Sequence, residues 1–101
     1  MMRFLRNKET IAVAVLASFV PGKPPVPHKV KFKDHMGQEY TFVVDRLDGI
    51  ESYTPYIKYK CVTFFGDHSE RYALILFKSE AKWELKNEDH YIPEVRVPLP
   101  Y

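Results

Sequence analysis

The chain has 101 residues, of which 46% are hydrophobic, 15% aromatic and 28% charged, and its formal net charge is +2. This length corresponds to one domain with its own core, and the composition excludes a chain that is disordered throughout. The single cysteine excludes an internal disulfide framework, and no cysteine pair is present to form a zinc-finger motif.

Positive charge is concentrated in the first third of the chain. Residues 1–33 contain seven Lys or Arg and one Glu, a net charge of +6, whereas residues 34–101 carry a net charge of −4. Clustered positive charge attracts anionic partners such as nucleic acid. Lysines on a solvated sheet surface explain the same pattern without a partner, and we favour that interpretation because nucleic-acid-binding domains are usually more basic.

The N-terminal region lacks the pattern of a signal peptide or a membrane helix. Three basic residues precede the apolar residues 11–20, but Glu9 interrupts the basic region and the apolar run has only ten residues. A membrane helix needs about 20 apolar residues, and a cleavage site inside the run would leave too short a hydrophobic region for a signal peptide. We therefore expect a cytoplasmic protein without membrane association.

The first half of the chain predicts an early strand, a connector and a hairpin. Residues 9–19 alternate β-branched and small side chains, so we favour a strand there over a short buried helix. Residues 20–27 contain four prolines and are expected to form an extended connector that joins no central strand. Residues 29–33 and 40–44 both alternate apolar and polar side chains around a turn that ends in Gly37, which predicts a β-hairpin.

The second half predicts a loop and three further strands. Residues 45–55 contain Asp-Gly and Thr-Pro turn signals and are expected to form an irregular loop. Residues 57–65 alternate as a half-buried strand, and residues 66–69 form a turn. Residues 71–77 are apolar on both parities, as in a strand buried on both faces, and residues 82–86 return to the one-sided pattern.

These elements predict a mainly β fold. We expect one antiparallel domain of five to six strands, curled into a small barrel or a strongly curved sheet. The chain divides into a basic N-terminal segment (1–8), the β domain (9–86) and a proline-rich C-terminal tail (87–101) that is either disordered or an extended arm. The predicted core comprises Ile11, Val13, Val15, Val30, Phe32, Tyr40, Phe42, Val44, Ile57, Tyr59, Cys61, Tyr72, Leu74, Leu76, Trp83 and Leu85.

Four short stretches carry a resemblance: Glu9-Thr10-Ile11-Ala12-Val13, Val30-Lys31-Phe32, Tyr59-Lys60-Cys61 and Lys82-Trp83-Glu84-Leu85. Over residues 9–86 the chain resembles a family of short, uncharacterised all-β proteins of Gram-positive bacteria. The shared positions are framework positions at strand spacing, so the resemblance implies an all-β fold. The family has no established activity, and the resemblance therefore implies no site residues.

No catalytic, metal-binding or nucleotide-binding motif stands out in the sequence. The histidines, expected in loops or turns, are His28, His35, His68 and His90. Their spacing does not indicate a zinc site, although His35 and His68 could meet at one end of a barrel. Cys61 shares the inward parity of its strand and is expected to be a buried, inert thiol. We therefore expect no enzyme activity and no cofactor.

The remaining functional signal is a set of outward-facing lysines that could form an anion-binding or nucleic-acid-binding face. This face consists of Lys29, Lys31, Lys33, Lys58 and Lys60. Among the aromatic residues, Tyr53, Tyr56 and Phe64 are the best placed to be exposed. Because alternation alone explains the lysines, single-stranded nucleic-acid binding is the alternative function and not the first one.

Our first interpretation is a non-enzymatic protein-interaction or accessory module with an unknown protein partner. Such a module would dock through an exposed β edge, the proline connector or the C-terminal tail. Its apolar contacts would come from Phe64, Ile75 or Leu99.

Overall fold

The computed structural model describes residues 10–34 and 36–87, and the secondary structure of this part consists of β strands and their connections. Seven strands follow one another along the chain: β1 (Thr10–Ser18), β2 (Val26–Lys33), β3 (Glu39–Val43), β4 (Arg46–Ser52), β5 (Tyr56–Phe65), β6 (His68–Phe77) and β7 (Lys82–Asn87). The strand predicted over residues 9–19 is thus confirmed as β1. The basic segment 1–8 and the tail beyond Asn87 lie outside the described residues, and Asn87 itself ends β7.

All seven strands form a single antiparallel sheet in the order β3-β2-β1-β7-β6-β5-β4. Its two edge strands, β3 and β4, are consecutive in the chain. The amide of Val44 donates to the carbonyl of His28 at 2.8 Å, which extends the β2–β3 ladder. The amide of Asp45 donates to the carbonyl of Val62 at 3.0 Å, which begins the β4–β5 ladder. The chain therefore passes from one end of the sheet to the other within two residues, and the sheet curls strongly into a half-barrel.

The curl gives the sheet an inner face that holds the core. All sixteen predicted core residues belong to the core cluster, ten of them buried and six partly buried against those ten. Leu47 and Phe65 join the cluster from outside the predicted set. Strand β6 is buried on both faces as predicted, because Ala73 and Ile75 on its outer face are 0% and 9% exposed.

The strand count is seven and not five to six, because residues 46–52 form β4 where the sequence predicts a loop. The Asp-Gly turn signal coincides with a register shift between Leu47 and Gly49. The Thr-Pro turn signal lies in the connection between β4 and β5. Pairing with β5 supplies backbone hydrogen bonds that local propensity does not report, and tertiary context overrides weak strand propensity.

The proline connector is shorter than predicted, since Pro27 lies within β2 and pairs with Ala17. Strand β2 is an interior strand, so the expectation that this proline joins no central strand is wrong. A register shift between Leu16 and Ala17 accompanies the proline, and such irregularities are where sheets tolerate a missing backbone N–H.

Candidate functional site

The five predicted lysines lie on the outer face of the sheet in two groups. Lys29, Lys31 and Lys33 follow one another along β2, whereas Lys58 and Lys60 lie on β5. Strands β1, β7 and β6 separate β2 from β5 in the sheet. The fold brings the first three lysines together and the other two together, but it does not place all five side by side.

The first group, Lys29, Lys31 and Lys33, is termed the lysine stripe. On one side, Lys29 pairs in register with Leu16, and on the other side with Val43. These two apolar side chains are 66% and 47% exposed. A shallow cavity of about 450 Å³ lies beside the stripe between the small side chains of Ala14 and Thr41. The lysine stripe is therefore flanked by solvent-exposed apolar surface.

One carboxylate contacts the lysine stripe in the described residues. Lys31 Nζ lies 3.9 Å from Glu39 Oε2, and both side chains are more than half exposed, at 60% and 54%. Exposed ion pairs of this kind contribute about 0 to 1 kcal/mol and are screened by salt. Glu39 thus compensates one of the three charges only weakly, and the stripe remains cationic.

The second lysine group is integrated into a polar network on the outer face. Lys60 Nζ lies 3.0 Å from Glu51 Oε2, and the hydroxyl of Tyr53 donates to Glu51 Oε1 at 2.9 Å. Burial raises the pKa of Glu51, but the hydrogen bonds from Lys60 and Tyr53 outweigh it and hold that pKa below its usual value. The hydrogen bond to Glu51 in turn raises the pKa of Tyr53. The Tyr53 ring is therefore held by its hydroxyl.

A run of aromatic rings continues from Tyr53 across the outer face. The ring centroids of Tyr53 and Tyr56 are 5.0 Å apart, and those of Tyr56 and Phe77 are 6.0 Å apart. Lys82 Nζ lies 6.0 Å from the centroid of Phe77, at cation–π distance. Beside this run lies a cavity of about 290 Å³, here termed the aromatic trough. Its lining residues are Thr10, Tyr56, Lys58, Ile75, Phe77, Glu84 and Lys86.

The aromatic trough contains residues that the sequence analysis missed. Of its lining residues, Tyr56 and Lys58 were predicted candidates, whereas Phe77 and Lys86 were not. Lys82, which lies over the Phe77 ring, was not predicted either. Parity could have found them, because Lys82 and Lys86 flank the inward Trp83 and Leu85 on alternate positions. The third aromatic candidate, Phe64, is 54% exposed, but it lies apart from the trough beneath the guanidinium of Arg46.

The groups considered for catalysis or metal binding are dispersed. Cys61 is 1% exposed, which confirms the predicted buried thiol. His28 lies in β2 and His68 begins β6, so neither lies in the loop or turn predicted for it. His28 Nε2 lies 2.8 Å from Ser18 Oγ, and His68 Nε2 lies 3.1 Å from Glu70 Oε2. His35 and His90 are outside the described residues, so their meeting with other histidines stays a prediction. Over residues 10–34 and 36–87, no three His, Cys, Asp or Glu side chains converge to hold a metal ion.

The architecture defines the class of the protein as a small all-β domain with one strongly curled antiparallel sheet. No protein-family model, curated protein or solved structure matches the chain. The resemblance to an all-β family of Gram-positive bacteria stays a prediction. In the part of the chain that the structure describes, no helix is long and apolar enough to cross a membrane.

Proposed function

We propose that this protein is a non-enzymatic interaction module whose lysine stripe docks an acidic, partly apolar segment of a partner protein. The observation that supports this proposal is the register of Lys29 between two exposed apolar side chains, Leu16 and Val43. The same proposal places the protein in the cytoplasm, a reducing compartment in which a lone thiol such as Cys61 is ordinary.

The spacing of the lysine stripe suits an extended partner segment. Residues two apart on a strand are separated by about 6.6 Å, so the three lysines form a row with this repeat. An extended segment has the same repeat on each of its faces, and carboxylates at alternate positions would meet successive lysines. The charges would set the orientation and the rate of association, whereas affinity would come mainly from apolar burial at about 25 cal/mol per Å².

Apolar burial is available because exposed hydrophobic side chains concentrate at this end of β1. Leu16 is followed closely by Phe19 and Val20, which are 74% and 51% exposed. Single exposed hydrophobic residues are normal, but several at one place typically mark an interaction surface. A partner that supplies both carboxylates and apolar side chains therefore fits this surface better than a purely acidic one.

The proposal can be tested by selecting ligands from a display library of random peptides. We expect selected peptides to combine Asp or Glu with apolar residues, and their binding to fall at least tenfold in the L16S variant. The K31E variant should mainly slow association, because the charges act on the association rate more than on the affinity. Binding should keep most of its strength when salt is raised, because apolar burial supplies most of the affinity.

Matched controls lie elsewhere on the same face. Ile75 is only 9% exposed and Phe64 lies on β5, away from the lysine stripe, so the apolar contacts expected from them are assigned instead to Leu16 and Val43. Phe64 and Lys82 are exposed on β5 and β7, so F64S and K82E change equivalent groups outside the lysine stripe. Selected peptides without acidic residues, or equal loss of binding in the control variants, would contradict the assignment of this surface.

Single-stranded nucleic acid is the second candidate ligand. The specific observation in its favour is the aromatic run Tyr53, Tyr56 and Phe77 beside Lys58, because aromatic platforms next to cationic side chains are what single strands require. A labelled single-stranded oligonucleotide should then bind in an anisotropy titration at about 50 mM salt and weaken steeply at about 200 mM. No binding at the lower salt concentration would rule out this candidate.

A further inference from the structure

We infer that the aromatic trough is a nucleotide site, which takes one nucleobase together with its attached phosphate. This inference rests on the second candidate function and deepens it, since it assigns the ligand class to particular residues. The nucleotide could be free or part of a single strand, and the experiment below distinguishes the two sources.

The first support is a pre-organised stacking platform. Tyr53 is fixed at its ring by the hydrogen bond from its hydroxyl to Glu51, and at its backbone by the 2.8 Å hydrogen bond from its amide to the carbonyl of Tyr56. Tyr56 in turn contacts Phe77 on the neighbouring strand at 6.0 Å between ring centroids. The ring planes are tilted by 45° between Tyr53 and Tyr56 and by 61° between Tyr56 and Phe77, so a base stacks on one ring and not on all three. Such a base orders few additional side chains, so little binding energy is lost to conformational entropy.

The second support is the volume of the trough and its apolar lining. Its volume of about 290 Å³ lies just below the range for small-molecule sites, about 300 to 1,000 Å³. Ile75, which is 9% exposed, lines the trough and pairs in register with Lys58 on β5 and with Glu84 on β7. Phe77 lies two residues further along β6, beside Tyr56. An apolar lining residue next to aromatic rings favours a flat, weakly hydrated ligand such as a base.

The third support is the placement of charge. Lys58 and Lys86 both line the trough, and Lys82 lies over the Phe77 ring beside it. Three ammonium groups around one apolar cavity match a ligand that carries an anionic group next to a flat ring. A phosphate attached to a nucleoside has this arrangement.

Glu84 indicates which bases the trough prefers. Among residues 10–34 and 36–87 it is the one carboxylate that lines the trough, and its Oε2 lies 3.5 Å from Lys82 Nζ. An ionised carboxylate only accepts hydrogen bonds, so it favours bases with exocyclic amino groups, such as guanine and cytosine. Uracil carries carbonyl oxygens and no exocyclic amino group, so it offers the carboxylate fewer donors. The trough is therefore expected to bind GMP or CMP more tightly than UMP.

The test is an NMR titration of the full-length chain with GMP, CMP and UMP, followed by the amide signals of the trough residues. We expect GMP or CMP to shift the signals of Tyr56, Ile75 and Glu84 with a Kd below about 1 mM. The Y56L variant keeps apolar bulk but removes the ring, and it should weaken binding about 5- to 100-fold. The E84Q variant should reduce the preference over UMP.

Matched controls separate the trough from the rest of the outer face. Phe64 is an exposed aromatic residue on the same strand as Tyr56, so F64L should leave the nucleotide affinity unchanged. K58Q should weaken binding, whereas K29Q changes a lysine outside the trough and should not. Equal effects of Y56L and F64L would overturn the inference, as would unshifted trough signals at about 10 mM nucleotide.

A cytidine oligonucleotide tested in the same way distinguishes the sources of the ligand. Trough shifts with both CMP and the oligonucleotide support a site for a nucleotide within a strand. Trough shifts with CMP alone support a free nucleotide and leave the nucleic-acid function without support. An oligonucleotide that shifts only the lysine stripe would keep nucleic-acid binding but overturn the nucleotide site in the trough.

Discussion

The hydroxyl of Thr63 donates a hydrogen bond to the carbonyl oxygen of Val43 at 2.5 Å, and it lies 2.6 Å from the hydroxyl of Tyr72. Val43 is the last residue of β3, immediately before the chain leaves β2 and begins to pair with β5. Thr63 is 2% exposed and Tyr72 is 0% exposed, so both hydroxyls lie inside the half-barrel. This hydrogen-bonded pair therefore ties β5 and β6 to the point where the two ends of the sheet are joined.

We expect T63V to reduce the free energy of unfolding by about 1 to 3 kcal/mol. Valine keeps the shape of threonine, but it leaves the Val43 carbonyl and the buried Tyr72 hydroxyl without this hydrogen-bonding partner. Urea unfolding followed by tryptophan fluorescence measures the change. T41V, which makes the same substitution at an exposed position on β3, is the control and should change stability by less than about 0.5 kcal/mol. Equal effects of the two variants would show that the bond contributes nothing.

Tyr59 should make the protein sensitive to alkaline pH. Burial raises the pKa of Tyr59 from the usual value of about 10 to about 12. Because the folded state favours the protonated phenol, this contribution to stability is complete below about pH 10 and is lost as the pH rises from about 10 to 12. Burial also raises the pKa of Tyr72, which adds a contribution lost in the same direction.

The Y59F variant isolates this contribution. It removes the ionisable hydroxyl and also the 2.5 Å hydrogen bond to the Pro25 carbonyl, so we expect a loss of about 1 kcal/mol at neutral pH. Unfolding measured at a series of alkaline pH values should then show a shallower fall in stability than the original protein shows. The hydrogen bond to Glu51 also raises the pKa of Tyr53, which is 45% exposed, so Y53F should flatten this fall less than Y59F does. An unchanged slope in Y59F would contradict the prediction.

Backbone conformation predicts opposite effects of two substitutions in turns. Ala81 has a φ of 51° in the connection between β6 and β7, a left-handed conformation that costs a residue with a Cβ about 1 kcal/mol. A81G should therefore raise the free energy of unfolding by about 0.5 to 1 kcal/mol. Gly66 has a φ of 65° in the two-residue turn between β5 and β6, so G66A should lower it by about 1 kcal/mol.

The control for this pair is A14G on β1, where alanine has an ordinary extended conformation. Glycine there adds only flexibility to the unfolded chain and should destabilise the protein by about 0.5 to 1 kcal/mol. Thermal unfolding of the three variants shows directly whether each substitution raises or lowers the stability. A lower stability of A81G than of the original protein would contradict the role assigned to its φ.

Replacement of Trp83 and of Leu74 by alanine should reduce the free energy of unfolding by different amounts. Trp83 is only partly buried and packs on Tyr59 with 5.4 Å between ring centroids, whereas Leu74 is 0% exposed. We expect W83A to cost about 2 to 3 kcal/mol and L74A about 3 to 5 kcal/mol, because a fully enclosed site leaves the larger cavity relative to the atoms removed. Urea unfolding followed by circular dichroism suits both variants, and the reverse order would contradict the burial pattern.

The sequence alone identified the strands that have one apolar and one polar face. Successive side chains on a strand point to opposite sides, so parity assigns each residue to a face before any partner strand is known. For this reason the inward set from Ile11 to Leu85 and the buried thiol of Cys61 agree with the structure. The outward position of Lys29, Lys31 and Lys33 followed from the same rule.

Only the tertiary structure decided which strands are neighbours and whether segments of weak strand propensity join the sheet. Residues 46–52 form a strand because β5 offers them backbone partners, and Pro27 enters β2 because a register shift accommodates it. The surfaces depend on pairing as well. Lys29 lies between Leu16 and Val43, and Tyr56 lies beside Phe77, only because those strands are adjacent. Parity acts along one strand, whereas a binding surface is built across several, and long-range backbone hydrogen bonds determine that arrangement.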